Sequence, residues 1–270
     1  MNPGNLIIIG GAEDKTGDCL ILKTFVSLSG AEKAKLTVIT TAAENSNEAG
    51  KQYKNLFIKF GAQRADILNI NTREDADGEE YARLVSESSG IFFTGGDQLR
   101  ITSILGGTKV YTALHEAYGR GTVIAGTSAG ASVMSRTMIV EGIDNDPARK
   151  CTLKMAPGLG LLDRVLIDQH FHQRGRIGRL LCGVAENPSI LGIGIDEDTA
   201  VMVFPDSHFE VIGRNSVTVV DGRYIKSSNV SELKPEENLA IANVTLHVLP
   251  SGYGYDLAAR SVIRLGRGGN

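Results

Sequence analysis

Short runs of consecutive apolar residues alternate with helix-spaced apolar stripes over the first two thirds of the chain. Leu6 to Ile9 is one such run, closed by Gly10-Gly11, which predicts a buried strand ending in a turn. Leu36 to Ile39 and Ile67 to Ile70 read the same way. Between them Ala49, Tyr53, Leu56, Phe57 and Phe60 recur at three- and four-residue steps, one face of a helix that Gly61 would stop. Tyr81, Leu84 and Val85 form a shorter stripe. Ile91 to Thr94 then predicts a strand ending at Gly95-Gly96, and Thr122 to Ala125 another ending at Gly126. Repeated strand–helix units with fully apolar strands imply an α/β, doubly wound, mostly parallel sheet with helices on both faces. After about position 190, Leu191 to Ile195, Ala200 to Phe204 and Ser216 to Val220 read as strands that extend the same sheet. Glu141 to Ala156 reads as a polar, irregular loop. No linker, charge block or repeat divides residues 1–270, so a single domain is expected.

Composition narrows the functions. Of 270 residues, 28 are Lys or Arg and 31 are Asp or Glu, a formal charge of −3 that gives no reason to expect nucleic acid as a partner. No apolar run approaches the ~18 residues of a membrane span, and the opening MNPGNLIIIGGAED does not have the form of a leader peptide. Cys19, Cys151 and Cys182 are far apart, which argues against a disulfide framework or a thiolate zinc site and fits a reducing cytoplasm.

Gly126-Thr127-Ser128-Ala129-Gly130 has the GxSxG pattern between an apolar strand and Ala131 to Met134. A sharp strand-to-helix turn there lifts the Ser128 hydroxyl above the sheet, where the Ala129 N–H can stabilise an oxyanion. The Gly95-Gly96 turn can supply a second donor at Gly96, and Gln98 lies within reach of a substrate. A serine nucleophile needs a base. Of the five histidines, His115, His208 and His247 sit in unremarkable helix or strand contexts. Asp168-Gln169-His170-Phe171-His172, by contrast, ends a strand, where ligands collect in open α/β sheets. If the strand continued, Asp168, His170 and His172 would share a face, so a metal site is one reading; a serine nucleophile needs neither metal nor cofactor. Arg174, Arg176 and Arg179 then open a helix against its dipole, which predicts an anion to hold there. Asp196-Glu197-Asp198 clusters acids at a late strand end and predicts a nearby cation.

Together IIIGGAEDK (7–15), FTGGDQLR (93–100), AGTSAGA (125–131), DQHFHQRGRIGR (168–179) and LGIGIDEDTA (191–200) resemble the cyanophycinase family of serine peptidases, which includes aspartyl dipeptidase. The resemblance implies a sheet similar to that of class I glutamine amidotransferases, a homodimer, and an exopeptidase that cleaves cyanophycin, multi-arginyl-poly-aspartate, to β-Asp-Arg. It implies Ser128 as nucleophile and His170 as base. Substrate contacts are implied at Gln98 and Gln169, with Arg174, Arg176 and Arg179 for carboxylates and Asp168 for a guanidinium. Glu197 matches the third triad member of aspartyl dipeptidase, and Asp146 is the competing acid. Three alternatives stand beside it: a serine dipeptidase for Asp-X peptides with the same chemistry and a smaller pocket, a metal-dependent hydrolase on Asp168, His170 and His172, and a non-catalytic binder of acidic peptides.

Overall fold

Strand Leu6–Ile9 (β1) is wholly buried because its side chains point into apolar layers on both faces of the sheet it occupies. A computed structural model describes residues 3–150 and 153–266, so Cys151 lies outside the described residues. Lys35–Ile39 (β2), Arg64–Leu68 (β3), Gly90–Phe93 (β4) and Val123–Thr127 (β5) run parallel to β1 in the order β1-β5-β4-β2-β3. On one face, helices Leu20–Leu28 (α1) and Ser46–Lys59 (α2) pack Phe25, Tyr53 and Phe57 against Phe92, with ring centroids 4.5–6.0 Å apart. Such ring pairs contribute about 0.5–1.5 kcal/mol beyond their burial. Helices Arg73–Ala76 (α3), Glu79–Glu87 (α4), Gln98–Leu105 (α5), Lys109–Gly119 (α6) and Ala129–Ser132 (α7) contribute to the layer over Ile8, Ile39, Phe93 and Ile124 on the other. Helices therefore cover both faces, as the apolar strand runs require.

The later chain departs from expectation. Thr137–Gly142 (β6) and Leu153–Pro157 (β7) form an antiparallel hairpin, so the segment read as one irregular loop begins and ends in paired strands. Val165–Gln169 (β8) and Leu191–Ile195 (β9) are parallel neighbours, but they stand in a separate four-stranded sheet with Ser216–Asp221 (β12). Thr199–Val203 (β10) continues the first sheet antiparallel beside β1, and His208–Gly213 (β11) and the C-terminal strands Tyr253–Asp256 and Ser261–Arg264 follow it outward, each antiparallel to the last. Among the described residues that sheet is therefore mixed: nine strands, five of them parallel. Alternation shows which face of a strand is buried and not which neighbour buries it, so three late strands of similar pattern went to two sheets. The segments that follow the C-terminal ends of β1, β5, β8 and β9 are joined by backbone hydrogen bonds from Ser128, His170 and Asp198 to Ile9, Gly10 and Gly11, and the functional side chains lie there.

Candidate active site

Ser128 leaves the end of β5 with φ 53° and ψ −109°, a sparsely populated conformation for a residue with a Cβ. Gly126 and Gly130 make that turn possible. A Cβ on Gly126 would overlap the Gly130 carbonyl, and one on Gly130 would overlap the Phe93 backbone. The following helix, α7, is only four residues long. His170 follows β8 with φ 49°, which breaks strand alternation at that residue. Its side chain therefore leaves the direction taken by Asp168.

His170 Nε2 lies 3.0 Å from Ser128 Oγ, and His170 Nδ1 lies 2.6 Å from Glu197 Oε1. Glu197 sits in the turn between β9 and β10. Its N–H donates to Gln173 Oε1 at 3.0 Å, and its carbonyl accepts from Asn215 Nδ2 at 2.7 Å. Burial pushes the His170 imidazole below its ordinary pKa; the Glu197 hydrogen bond opposes this, and the charges of Arg174 and Arg176 reinforce it. The imidazole is consequently neutral, and able to accept a proton, over most of the physiological range. The Gly95-Gly96 turn lies against Ser128, since a Cβ on Gly95 would stand 3.4 Å from that of Ser128. Among the described residues the N–H groups of Gly96 and Ala129 have no intramolecular partner. Gln169 Oε1 faces Ser128 Oγ at 3.4 Å.

Other expected substrate contacts point elsewhere. Asp168 is 1% exposed, and Arg179 forks across both its oxygens, with Nε–Oδ2 at 2.7 Å. Burial raises the Asp168 pKa against the pull of Arg179 and Arg176. Arg176 donates to Asp144 Oδ1 at 2.7 Å and to the Gln169 carbonyl at 2.5 Å. Asp144 is pushed up by burial, but Arg176, Arg179 and Arg174 outweigh this and leave it below its ordinary value. The anions predicted for this basic segment thus come from the protein itself. Arg176 and Arg179 serve a buried network, and Asp168 is closed off from a substrate guanidinium. Only Arg174 of the three is exposed, and its side chain makes no ion pair among the described residues.

The same geometry removes the basis for a metal site. Both Asp168 oxygens face arginines, His170 faces Ser128 and Glu197, and His172 is exposed; among the described residues no group of three His, Cys, Asp or Glu side chains is placed to hold an ion. Gln98 Nε2 donates to the carbonyls of Ile139 and Val140 at 3.0 and 2.6 Å, so this amide ties α5 to β6. Asp146 faces Arg149 at 3.8 Å, while His170 Nδ1 is occupied by Glu197. The acidic run also separates: Asp196 accepts from Ser216 and the His172 N–H, Asp198 accepts from the Asp14 N–H, and only Glu197 meets a titratable base.

Sequence reasoning gave no role to Asp144 and Asn215, which lie in polar loops with no local signal, or to Gln173, although it belongs to the DQHFHQRGRIGR segment. It also gave no role to Glu13, although that buried acid belongs to the IIIGGAEDK segment. Replacing Asp168 with Asn tests the buried network: removing one partner of a desolvated ion pair costs about 3–5 kcal/mol. The expected result is a clear fall in Tm by calorimetry, with residual activity in whatever folds. An unchanged Tm would show that Asp168 is not the anchor of Arg179.

The model of peptidase family S51 matches residues 6–212. The chain is 39% identical over 259 residues to the cyanophycinase of Trichormus variabilis, covering 96% of this chain and 87% of that one. Against the cyanophycinase of Synechococcus elongatus the identity is 39% over 260 residues, with 96% and 81% covered. Against that of Geminocystis herdmanii it is 37% over 253 residues, with 93% of each covered. Among solved structures, a peptidase from an acI-B1 Actinobacterium superposes with a TM-score of 0.65 at 23% identity, covering 91% of this chain and 98% of that one. A putative peptidase E protein from Listeria monocytogenes gives 0.53 at 18%, covering 78% and 98%. These two likenesses concern the fold alone. On the sequence matches, the chain is a serine-type peptidase and belongs to peptidase family S51.

Proposed function

We propose that this peptidase is an exopeptidase that hydrolyses the poly-aspartate backbone of cyanophycin and releases β-Asp-Arg. The observation that carries the reading is the unbroken hydrogen-bond chain from Ser128 through His170 to Glu197, in a protein about 39% identical to cyanophycinases. His170 Nε2 takes the Ser128 proton as Oγ attacks the scissile carbonyl. The N–H groups of Gly96 and Ala129 receive the charge that develops on the carbonyl oxygen. His170 then returns the proton to the leaving amine, and water resolves the acyl-enzyme by the same steps in reverse. Glu197 holds the tautomer in which Nδ1 carries the hydrogen and stabilises the imidazolium while it exists.

Arg174 is the substrate-binding arginine of this reading, because it is exposed and meets no carboxylate among the described residues. Gln169, whose Oε1 faces the Ser128 hydroxyl at 3.4 Å, is the second substrate contact of this reading. A cleft of about 840 Å³ runs past Glu197 and is lined by Asp14, Asp18, Asp198 and Arg214, a mixed-charge surface suited to a polymer that carries both carboxylates and guanidinium groups. A homodimer in the cytoplasm, with a sheet similar to that of class I glutamine amidotransferases, completes the proposal. Its support is the set of motifs along the chain and the cysteine usage.

Incubation with purified cyanophycin, read by mass spectrometry, is expected to yield β-Asp-Arg. Release of a dipeptide from free Asp-X peptides with the polymer left intact would favour the dipeptidase alternative. The acid limb of kcat/KM should lie below the ordinary histidine value of about 6.5, because burial and Arg174 disfavour the imidazolium. Removing the Arg174 charge in Arg174→Gln should move that limb upward. A limb that stays put, or moves down, would show that Arg174 does not act on His170.

A further inference from the structure

Residues 9–14 touch every segment that carries a member of the serine–histidine–glutamate chain. The Ser128 N–H donates to the Ile9 carbonyl at 3.0 Å, the His170 N–H to that of Gly10 at 2.7 Å, and the Asp198 N–H to that of Gly11 at 2.9 Å. The Asp14 N–H donates to Asp198 Oδ1 at 2.8 Å. Gly11 packs flat against the imidazole, and a Cβ there would overlap the His170 ring. Gly11 and Ala12 both have positive φ, 101° and 46°, a path the chain follows only where its surroundings over-determine it.

Glu13 supplies that constraint. It is 3% exposed, yet both oxygens are engaged: Oε2 accepts from Thr127 Oγ1 at 2.5 Å, and Oε1 accepts from Tyr53 Oη at 2.5 Å and pairs with Lys15 Nζ at 2.8 Å. Thr127 immediately precedes Ser128, and Tyr53 belongs to the aromatic layer under α2. The carboxylate therefore links the rigid core to both the loop behind His170 and the strand end that presents Ser128.

We propose that Glu13 is a positioning residue for the peptidase reaction, clamping the 9–14 loop and the Thr127–Ser128 elbow so that Ser128, His170 and Glu197 keep their spacing. The proposal rests on reading those three residues as the catalytic triad. A misplacement of about 1 Å at a reacting group can cost on the order of 10²-fold in rate.

The test compares Glu13→Ala, Glu13→Gln and Thr127→Val with the parent protein. Readouts are kcat and KM on cyanophycin, the rate at which a fluorophosphonate labels Ser128, and Tm. In the folded fraction, Glu13→Ala and Thr127→Val are expected to lose about 10- to 100-fold in kcat and in labelling rate, with KM within about twofold. Glu13→Gln, which keeps the shape and can still bond Thr127, should recover part of the loss. Should Glu13→Ala fail to fold, Thr127→Val carries the same comparison. Lower Tm with kcat and labelling unchanged per folded molecule would overturn the proposal and leave Glu13 a structural residue. Ser128→Ala, assayed alongside, separates the two claims: full activity there overturns the triad reading itself, whatever the Glu13 variants do.

Discussion

Replacing Ser128 with alanine is expected to lower kcat by about 10⁴-fold or more while the protein remains folded, the magnitude seen when serine hydrolases lose their nucleophile. The hydroxyl is the hydrogen-bonding partner of His170 Nε2, at 3.0 Å, and the N–H groups of Gly96 and Ala129 on the adjoining turns have no intramolecular partner among the described residues. Alanine preserves the strained turn, because the left-handed φ of residue 128 is imposed by the close approach of Gly126, Gly130 and Phe93 rather than by the hydroxyl. Tm should therefore shift by no more than a few degrees, a scale on which about 1 kcal/mol is ~2–4 °C for a chain of this size. Fluorophosphonate labelling should vanish with the activity. Parent-like turnover in the variant would remove the serine mechanism outright.

The Glu197→Gln variant is expected to lose about 10³- to 10⁴-fold in kcat with little change in Tm, by analogy with the ~10⁴-fold loss when a triad acid becomes its amide. The carboxylate accepts the Nδ1 hydrogen at 2.6 Å and so leaves the Nε2 lone pair facing Ser128. An amide offers a donor at the same place. It favours the opposite tautomer, in which Nε2 carries the hydrogen and cannot accept one from the serine. The Glu197 side chain is 34% exposed, so water can replace part of the lost interaction, which sets the lower end of the range. Asp146→Asn should cost at most about tenfold, because Asp146 faces Arg149 rather than the imidazole. If Asp146→Asn proves the inactive variant and Glu197→Gln the mild one, the acid has been misassigned, although Ser128 and His170 would keep their roles.

Local chemistry made much of the site legible. GxSxG after an apolar strand specifies a turn that only small neighbours permit. Strand ends marked the histidines after β8 and the acids after β9 as candidates, and the family resemblance selected His170 and Glu197 among them. The arginine segment shows the limit. Three cations at a helix start announce a compensating anion, but nothing local distinguishes a substrate carboxylate from Asp168, or from Asp144 some 30 residues upstream. Direction decided the matter: strand geometry sends Asp168 inward to Arg179, and the left-handed residue at 170 turns the imidazole toward Ser128.

From sequence pattern came the parallel α/β half and the elbow serine, which depend on short-range features: apolar runs and glycines flanking a turn. The family resemblance added His170 as base, with Glu197 favoured over Asp146 as its acid. Tertiary structure alone divided β9, β10 and β12 between two sheets, withdrew Arg176, Arg179 and Asp168 into a buried network, and set Glu13 between Tyr53 and Thr127. Each of those outcomes joins residues distant in the chain, up to 114 positions apart for Glu13 and Thr127. Such contacts form because burying a charge is costly unless a partner meets it, and the fold brings that partner from anywhere in the sequence.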